Sequence, residues 1–145
     1  HKQAAGFSIS KEKYEIFKNE ITNELNQIDF SVNQKIINID KIIDITQLGF
    51  NLFESIQEFK PFGIGNPKPI FMFEDFIIDG VEYLGKTKEH ITLKNKYGIK
   101  LVGFNIGDYY DKLKGCYKLN IIFELDVNIW MGKRSLSCRV IDFFD

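Results

Sequence analysis

The stretch Tyr-Lys-Leu-Asn-Ile-Ile-Phe-Glu-Leu-Asp-Val-Asn-Ile, residues 117–129, carries the clearest structural pattern in this sequence. Apolar residues occupy all its odd positions, and the even positions are polar except at Ile122. Successive side chains of a β-strand point to opposite faces of the sheet, so this alternation predicts a long strand with one buried face.

The strand pattern continues on both sides of this stretch. Met131-Gly132 predicts a hairpin turn into a last strand near residues 135–140. Further strands are predicted at residues 70–84 (with a bulge near Asp79-Gly80), 90–94 and 99–105, and a short helix or turn at 107–113. Three strands, a helix and two strands is the element order of the oligonucleotide/oligosaccharide-binding (OB) barrel. Another small five-stranded barrel with one helix fits the same order.

The first half of the chain is predicted to be helical and mixed. Ser10 is a good N-cap for a helix, and an apolar stripe at helical spacing follows it, consisting of Tyr14, Phe17, Ile21, Leu25 and Ile28. Residues 35–39 suggest a strand, and a second helix is predicted from near Thr46 to the residues before Pro61. We therefore expect an α+β chain in which a helical and mixed segment precedes a five-stranded OB-like barrel.

The segment Pro-Phe-Gly-Ile-Gly-Asn-Pro-Lys-Pro, residues 61–69, holds all three prolines of the chain and two glycines. Proline fixes φ and glycine permits positive φ, so the composition predicts a stiff, specified turn. We place the boundary between two domains here, with residues 1–60 on one side and the barrel, residues 70–145, on the other.

Charge is distributed unevenly along the chain. Residues 81–140 carry eleven Lys or Arg and six Asp or Glu, a net charge of +5, whereas residues 1–80 carry eight Lys and twelve Asp or Glu, a net charge of −4. A basic last third suits a surface that faces an anion such as nucleic acid, although chance segregation gives the same pattern. Short apolar runs predict no membrane span and no signal peptide, and two cysteines are too few for a disulfide framework. We expect a cytoplasmic protein.

Three segments resemble the C-terminal part of the RecJ family. His-Lys-Gln-Ala-Ala-Gly-Phe, residues 1–7, is similar to the end of the Gly-Gly-His-x-x-Ala-Ala-Gly motif of DHHA1 domains. Residues 59–71 resemble the family's Leu-Glu-Pro-Phe-Gly-x-Gly-Asn-Pro-x-Pro-x-Phe segment, and the barrel adds Leu84-Gly85-Lys86…His90-Ile91-Thr92-Leu93 and Trp130-x-Gly-Lys-Arg-Ser-Leu. The resemblance implies that residues 1–60 complete a DHHA1 domain and that residues 70–145 form the OB domain.

The resemblance also implies a function for the longer protein. RecJ-like proteins are 5′→3′ exonucleases that degrade single-stranded DNA in repair and recombination, using Mn²⁺ or Mg²⁺ held in a DHH domain. The Asp-His-His motif is absent from this sequence. We therefore expect this part of the protein to hold no metal, to be inactive by itself, and to bind single-stranded DNA.

Candidate DNA contacts follow from the two loops and the outer strand face that OB folds use. They are His1, Lys86, Lys88, His90, Lys100, Phe104, Trp130, Lys133, Arg134 and Arg139. Several have open alternatives: Trp130 as a hydrophobic cap on the barrel, Phe104 as a core residue, Arg139 paired with a carboxylate across its hairpin, and Lys86 and Lys88 as solvated residues of an exposed turn. The resemblance alone places His1 beside a phosphate-binding turn.

A second function is open, in which the outer β surface docks a single-strand-binding or repair protein. A catalytic role for this chain is disfavoured because the sequence offers no clustered carboxylates around a histidine and no nucleophile–base pair.

Overall fold

A computed structural model of the chain describes residues 6–28 and 36–145, which divide between two units, His1–Ile37 and Asn38–Asp145. In the first unit a single 3₁₀ turn, Lys11–Lys13, leads into helix α1, Tyr14–Asn26. The helix expected after Ser10 is therefore present, but the Ser10 hydroxyl makes no capping hydrogen bond. The predicted strand at residues 35–39 is wrong for its described part, since residues 36–39 have no regular structure.

The apolar stripe of α1 is exposed within the described residues. Tyr14, Ile21, Leu25 and Ile28 all lie at the surface. Phe17 is half-buried and packs edge-on against Phe7, with ring centroids 4.7 Å apart.

The second unit contains seven strands and two helices within the described residues. The strands are β1 (Lys41–Ile42), β2 (Ile70–Ile77), β3 (Gly80–Leu84), β4 (His90–Lys94), β5 (Lys100–Gly103), β6 (Lys118–Trp130) and β7 (Lys133–Phe144). The helices are α2 (Phe50–Gln57) and α3 (Tyr110–Gly115). The strands form one sheet in the order β1-β2-β6-β7-β5-β4-β3, with parallel pairing only for β1–β2 and β5–β7.

The sheet has two strands more than the five we expected, for two physical reasons. The short β1 adds a parallel edge strand to β2. The long strand predicted over residues 70–84 is divided at Ile78-Asp79 because the chain changes its pairing partner there. The amide of Ile78 donates to the Tyr117 carbonyl beside β6 (2.9 Å), whereas the amide of Asp79 donates to the Lys94 carbonyl of β4 (2.8 Å).

The bulge in this part of the chain lies earlier than predicted. The register between β2 and β6 shifts between Phe73 and Phe76, and Asp75 has a positive φ of 50°. Positive φ is uncommon except in glycine, and Asp is among the residues that tolerate it best. The two residues between Phe73 and Phe76, Glu74 and Asp75, are exposed, so the extra length is accommodated at the surface.

The core lies on the odd-numbered face of β6, as its alternation predicts. The ring of Phe123 stacks on that of Phe73, with centroids 4.5 Å apart. The other fully buried side chains of the core include Ile91, Leu93, Leu101, Leu113, Ile121 and Leu125. Tyr117 and Ile129 are exceptions to the pattern, since both are exposed at the ends of the strand.

The proline- and glycine-rich turn is held by the side chain of Asn66. Its amide donates hydrogen bonds to the carbonyls of Phe59 (2.7 Å) and Pro61 (3.0 Å), while its backbone pairs with Gly63 in both directions. Just after the turn, the Lys68 ammonium lies 2.7 Å from the Asp126 carboxylate of β6. The turn is thus specified by hydrogen bonds and tied to the sheet.

Among residues 6–28 and 36–145, no helix is long and apolar enough to cross a membrane.

Candidate nucleic-acid interface

A two-stranded ribbon, residues 126–137, extends from the sheet. The pairing of β6 with β2 ends at Glu124, and that of β7 with β5 begins at Cys138, so the backbone of the ribbon pairs only with itself. Its two turn residues, Met131 and Gly132, have φ of 47° and 76°. Two consecutive positive φ values characterise the type I′ turn that suits tight hairpins. The predicted hairpin is confirmed.

The register of the ribbon separates three predicted DNA contacts. Trp130 lies opposite Lys133, and these two side chains share one face because directly paired residues point the same way. Arg134 pairs with Ile129 and therefore belongs to the other face.

The environments of the three side chains differ accordingly. The Arg134 guanidinium lies 5.2 Å from the Phe50 ring centroid and 3.8 Å from the Glu54 carboxylate, both on α2. Trp130 is 72% exposed, which excludes a buried cap over the barrel mouth in this structure. Of these three side chains, only Trp130 and Lys133 lie together on the outward face of the ribbon.

A groove of about 520 Å³, hereafter the outer groove, runs beside the ribbon. Its lining residues are Leu84, Val102, Phe104, Glu124, Asp126, Val127, Asn128, Ser137 and Arg139. Asn128 precedes Trp130 by two residues, so the outward face of the ribbon continues from the groove to the tryptophan.

Phe104 lies on the exposed side of the groove and is not a core residue, since half its surface is accessible. The ring of His90 packs edge-on against it, with centroids 5.1 Å apart. The Nδ1 atom of His90 accepts the Asn105 amide hydrogen bond at 3.1 Å. His90 therefore supports Phe104 while one of its ring nitrogens is already engaged.

Both carboxylates that line the outer groove form salt bridges. Arg139 lies 2.7 Å from Glu124, which confirms the pairing across the hairpin that the sequence left open. Asp126 pairs with Lys68 at 2.7 Å. Partial burial alone would raise the pKa of Asp126. Hydrogen bonds from Lys68 and from the Val127 amide together have the larger effect, so the pKa of Asp126 is lowered. Each groove carboxylate thus has its own cation.

The loop between β3 and β4, residues 85–89, carries two predicted contacts. Lys86 is exposed. The Lys88 ammonium lies 5.5 Å from the centroid of the Tyr83 ring, which in turn stacks on Tyr110. Burial raises the pKa of the Tyr83 phenol, and the nearby Asp111 adds to that rise.

Most of the chain matches a known protein family. The family described as the RecJ OB domain covers residues 39–142, well over half of the sequence. The chain belongs to the RecJ OB-domain family.

Relatives of this RecJ OB domain are much longer proteins. The single-stranded-DNA-specific exonuclease RecJ of Bacillus subtilis (strain 168) is 29% identical over 152 residues, covering 98% of this chain and 19% of that protein. Two crystal structures of RecJ from Thermus thermophilus, in complex with Mn²⁺ or with Mg²⁺, are similar in fold, each with a TM-score of 0.67 and 18% identity. Each match covers 97% of this chain, which corresponds to 20% and 21% of the respective structures. The chain thus spans about a fifth of the length of these relatives.

The remaining predicted contacts of the RecJ OB domain are dispersed. Lys100 is exposed at the start of β5, on the same side as Val102 and Phe104. His1 lies outside the described residues. The sequence reasoning missed Leu84 and Asn128, which line the outer groove. The alternation of β6 already placed Asn128 outward, whereas an apolar residue at a strand end gives no signal that separates Leu84 from the core.

The described part of this RecJ OB domain offers no candidate metal site. Within residues 6–28 and 36–145, no group of three His, Cys, Asp or Glu side chains could hold a metal ion. Mg²⁺ prefers oxygen ligands and is usually held by carboxylates together with water and phosphate oxygens. The described residues therefore offer no site for Mn²⁺ or Mg²⁺, which the resemblance implies for a separate DHH domain.

Proposed function

We propose that this RecJ OB domain binds single-stranded DNA across the outer groove, between the ribbon and the loop at residues 85–89. The observation that carries the proposal is the exposed aromatic surface of Trp130, with Lys133 directly opposite on the same face. Aromatic side chains next to cations suit a single strand, since bases stack on the ring while phosphates contact the cation.

The charge pattern supports different roles for two parts of this surface, one that contacts bases and one that contacts phosphates. The groove side chains Glu124 and Asp126 are paired with cations, so the groove itself has little net charge to attract phosphates. Its apolar wall at Leu84 and Phe104 suits base faces instead. Among the described residues Lys86, Lys100 and Lys133 have no salt-bridge partner, and these three would contact the phosphates.

The test is a binding titration with a fluorescent oligothymidylate at several salt concentrations. Stacking on Trp130 contributes about 1–3 kcal/mol per base, so Trp130→Ala should weaken binding roughly 5- to 150-fold. Tyr117→Ala is the matched control, because Tyr117 is equally exposed (71%) yet lies just before the far end of β6. Absence of binding by the wild type at low salt, or equal losses in both variants, would contradict the proposal.

The finer architecture is part of the same proposal. Because only two residues separate β2 from β3, and the chain changes its pairing partner between them, we take them as two halves of one bent strand. The sheet then has the connectivity of a five-stranded OB barrel, with β1 as an addition. Residues 1–60 would include the end of a DHHA1 domain, which rests on the resemblance of residues 1–7 to its motif.

The activity of the whole protein is likewise proposed. The Bacillus subtilis relative is named as a single-stranded-DNA-specific exonuclease. We propose that this chain is part of such a 5′→3′ exonuclease, acting in cytoplasmic DNA repair and recombination with Mn²⁺ or Mg²⁺ in a separate DHH domain. The test is whether the protein that contains this chain releases nucleotides from a 5′-labelled single strand only when Mn²⁺ or Mg²⁺ is added.

A second candidate is docking of a single-strand-binding or repair protein. It is favoured by the ribbon tip, where Ile129, Trp130 and Met131 are consecutive exposed apolar residues. Exposed apolar patches commonly mark protein interfaces. A pull-down that recovers one such protein equally well with wild type and with Lys133→Ala, while Met131→Ser abolishes recovery, would favour docking over DNA binding.

A further inference from the structure

The loop at residues 85–89 is in tight contact with the segment that leads into α3. The amide of Gly107 donates a hydrogen bond to the Glu89 carbonyl at 2.9 Å. A β-carbon at position 107 would lie 2.0 Å from the Lys88 carbonyl oxygen and 3.0 Å from the Glu89 Cα. Both obstacles are backbone atoms, so they cannot move aside by a change of rotamer. The absence of a side chain at position 107 is what permits this contact.

Two further contacts join the same parts of the chain. The Asn105 amide donates to His90 Nδ1 at 3.1 Å, just after the loop. Tyr110 at the start of α3 stacks on Tyr83 near the end of β3, with centroids 4.0 Å apart and ring planes 12° from parallel. The loop is thus held to the α3 segment at both of its ends.

The loop also has a defined internal conformation. Gly85 and Lys88 adopt positive φ of 85° and 60°. The Thr87 hydroxyl donates to the Glu89 carboxylate at 2.8 Å, and the Lys88 ammonium lies over the Tyr83 ring. Lys86 stands between these fixed neighbours and is exposed. Because the backbone of the loop is held in one conformation, the Lys86 side chain always extends from the same position.

We infer that Gly107 is a positioning residue, which holds the 85–89 loop against the segment leading into α3 so that Lys86 is preorganised for a phosphate of the bound strand. This inference rests on the proposed DNA binding. Rigidifying a binding segment before association reduces the conformational entropy that is lost when the complex forms. Lys88, engaged with Tyr83, belongs to the support of the loop.

The first measurement needs no ligand. Backbone ¹⁵N relaxation compares the wild type with Gly107→Ala and with Gly115→Ala, a control at which a new β-carbon meets nothing within 4 Å. We expect order parameters for residues 85–89 near the rigid value of about 0.85 in the wild type and the control, and below about 0.6 in Gly107→Ala. A loop that stays rigid in Gly107→Ala, or is already mobile in the wild type, would overturn the inference even if DNA binds.

The second measurement separates positioning from general destabilisation. Gly107→Ala should lower oligothymidylate affinity about three- to tenfold and reduce the salt dependence, whereas Gly115→Ala should do neither. Adding Lys86→Ala to Gly107→Ala should have little further effect. Fully additive losses would refute the role assigned to Gly107.

The Tyr110 ring offers a second variant in case Gly107→Ala does not fold. Tyr110→Leu removes the ring stack without adding bulk near the loop, and the same loosening and loss of affinity are expected. Wild-type behaviour in that variant overturns the inference. If the wild type binds no DNA, the proposed function fails, and the relaxation comparison still decides whether Gly107 fixes the loop.

Discussion

At the scale of single residues, the pair of Arg139 and Glu124 should limit DNA affinity. The carboxylate lies 2.7 Å from the guanidinium and lines the outer groove. Glu124→Gln should raise oligothymidylate affinity about two- to fivefold at low salt, because it removes repulsion toward phosphates and releases Arg139 to contact them. The measurement is the oligothymidylate titration. Glu74→Gln removes an identical charge from an exposed site on β2 and controls for net charge; an equal gain there would show that Arg139 is not involved.

The two cysteines should differ sharply in reactivity. Cys138 is buried in the core, and burial raises the pKa of its thiol to about 12. At pH 8 only about one Cys138 in ten thousand would be a thiolate, which is the reactive form. A chromogenic disulfide reagent should therefore modify Cys116 alone in the native protein and both thiols in denaturant. Cys116→Ser should abolish the native signal; rapid native labelling of that variant would show that the core opens at Cys138.

At the scale of elements, a substitution on one face of the ribbon should mainly change DNA affinity, whereas a substitution on the other face should mainly change stability. Lys133 shares the outward face with Trp130, whereas Arg134 contacts Phe50 and Glu54 of α2. Lys133→Ala should weaken binding and reduce the salt slope by about one, with little change in stability. Arg134→Ala should lower the free energy of unfolding by about 0.5–1.5 kcal/mol and change binding less. Paired titrations and chemical denaturation check both, and the reverse pattern of effects would contradict this assignment of the two faces.

The elements also differ in how far the sequence could predict them. Alternation predicts the buried face of β6 because its apolar residues repeat with the period of a strand. It does not predict that Ile129 is exposed. The alternation of β6 carries no information about where its pairing with β2 ends, and Ile129 lies beyond that end. Likewise, Trp130, Lys133 and Arg134 lie close together in sequence. The cross-strand register nevertheless places Arg134 on the opposite face of the ribbon from the other two, where it contacts α2.

At the scale of the whole molecule, local patterns predicted most strands of the sheet, but not the contacts that residues before the proline-rich turn make with it. The sequence predicts a helix before Pro61, but a local pattern does not show which other elements that helix packs against. In the structure, Ile43 and Ile56 are nevertheless part of the buried core. The Ile70 amide at the start of β2 also donates to the Asp40 carboxylate at 2.8 Å. Such long-range contacts depend on the tertiary fold and cannot be read from neighbouring residues.

These contacts predict that a fragment of residues 38–145 folds alone, whereas a fragment of residues 70–145 is much less stable. The shorter fragment loses β1 and two buried isoleucines, each worth about 1.5–3 kcal/mol of hydrophobic burial. Together they are a large fraction of the stability of a small domain, about 5–15 kcal/mol. It also loses Phe50 and Glu54, the partners of Arg134 on the ribbon.

Thermal denaturation followed by circular dichroism compares the two fragments with the full chain. We expect a cooperative transition for residues 38–145 close to that of the full chain, and a transition many degrees lower or absent for residues 70–145. A third fragment, residues 38–145 with Ile43→Ala and Ile56→Ala, should fall between them if the buried isoleucines account for much of the loss. Equal stability of residues 70–145 and 38–145 would instead place the domain boundary at the proline-rich turn, because β1 and α2 would then contribute nothing that the rest of the sheet needs.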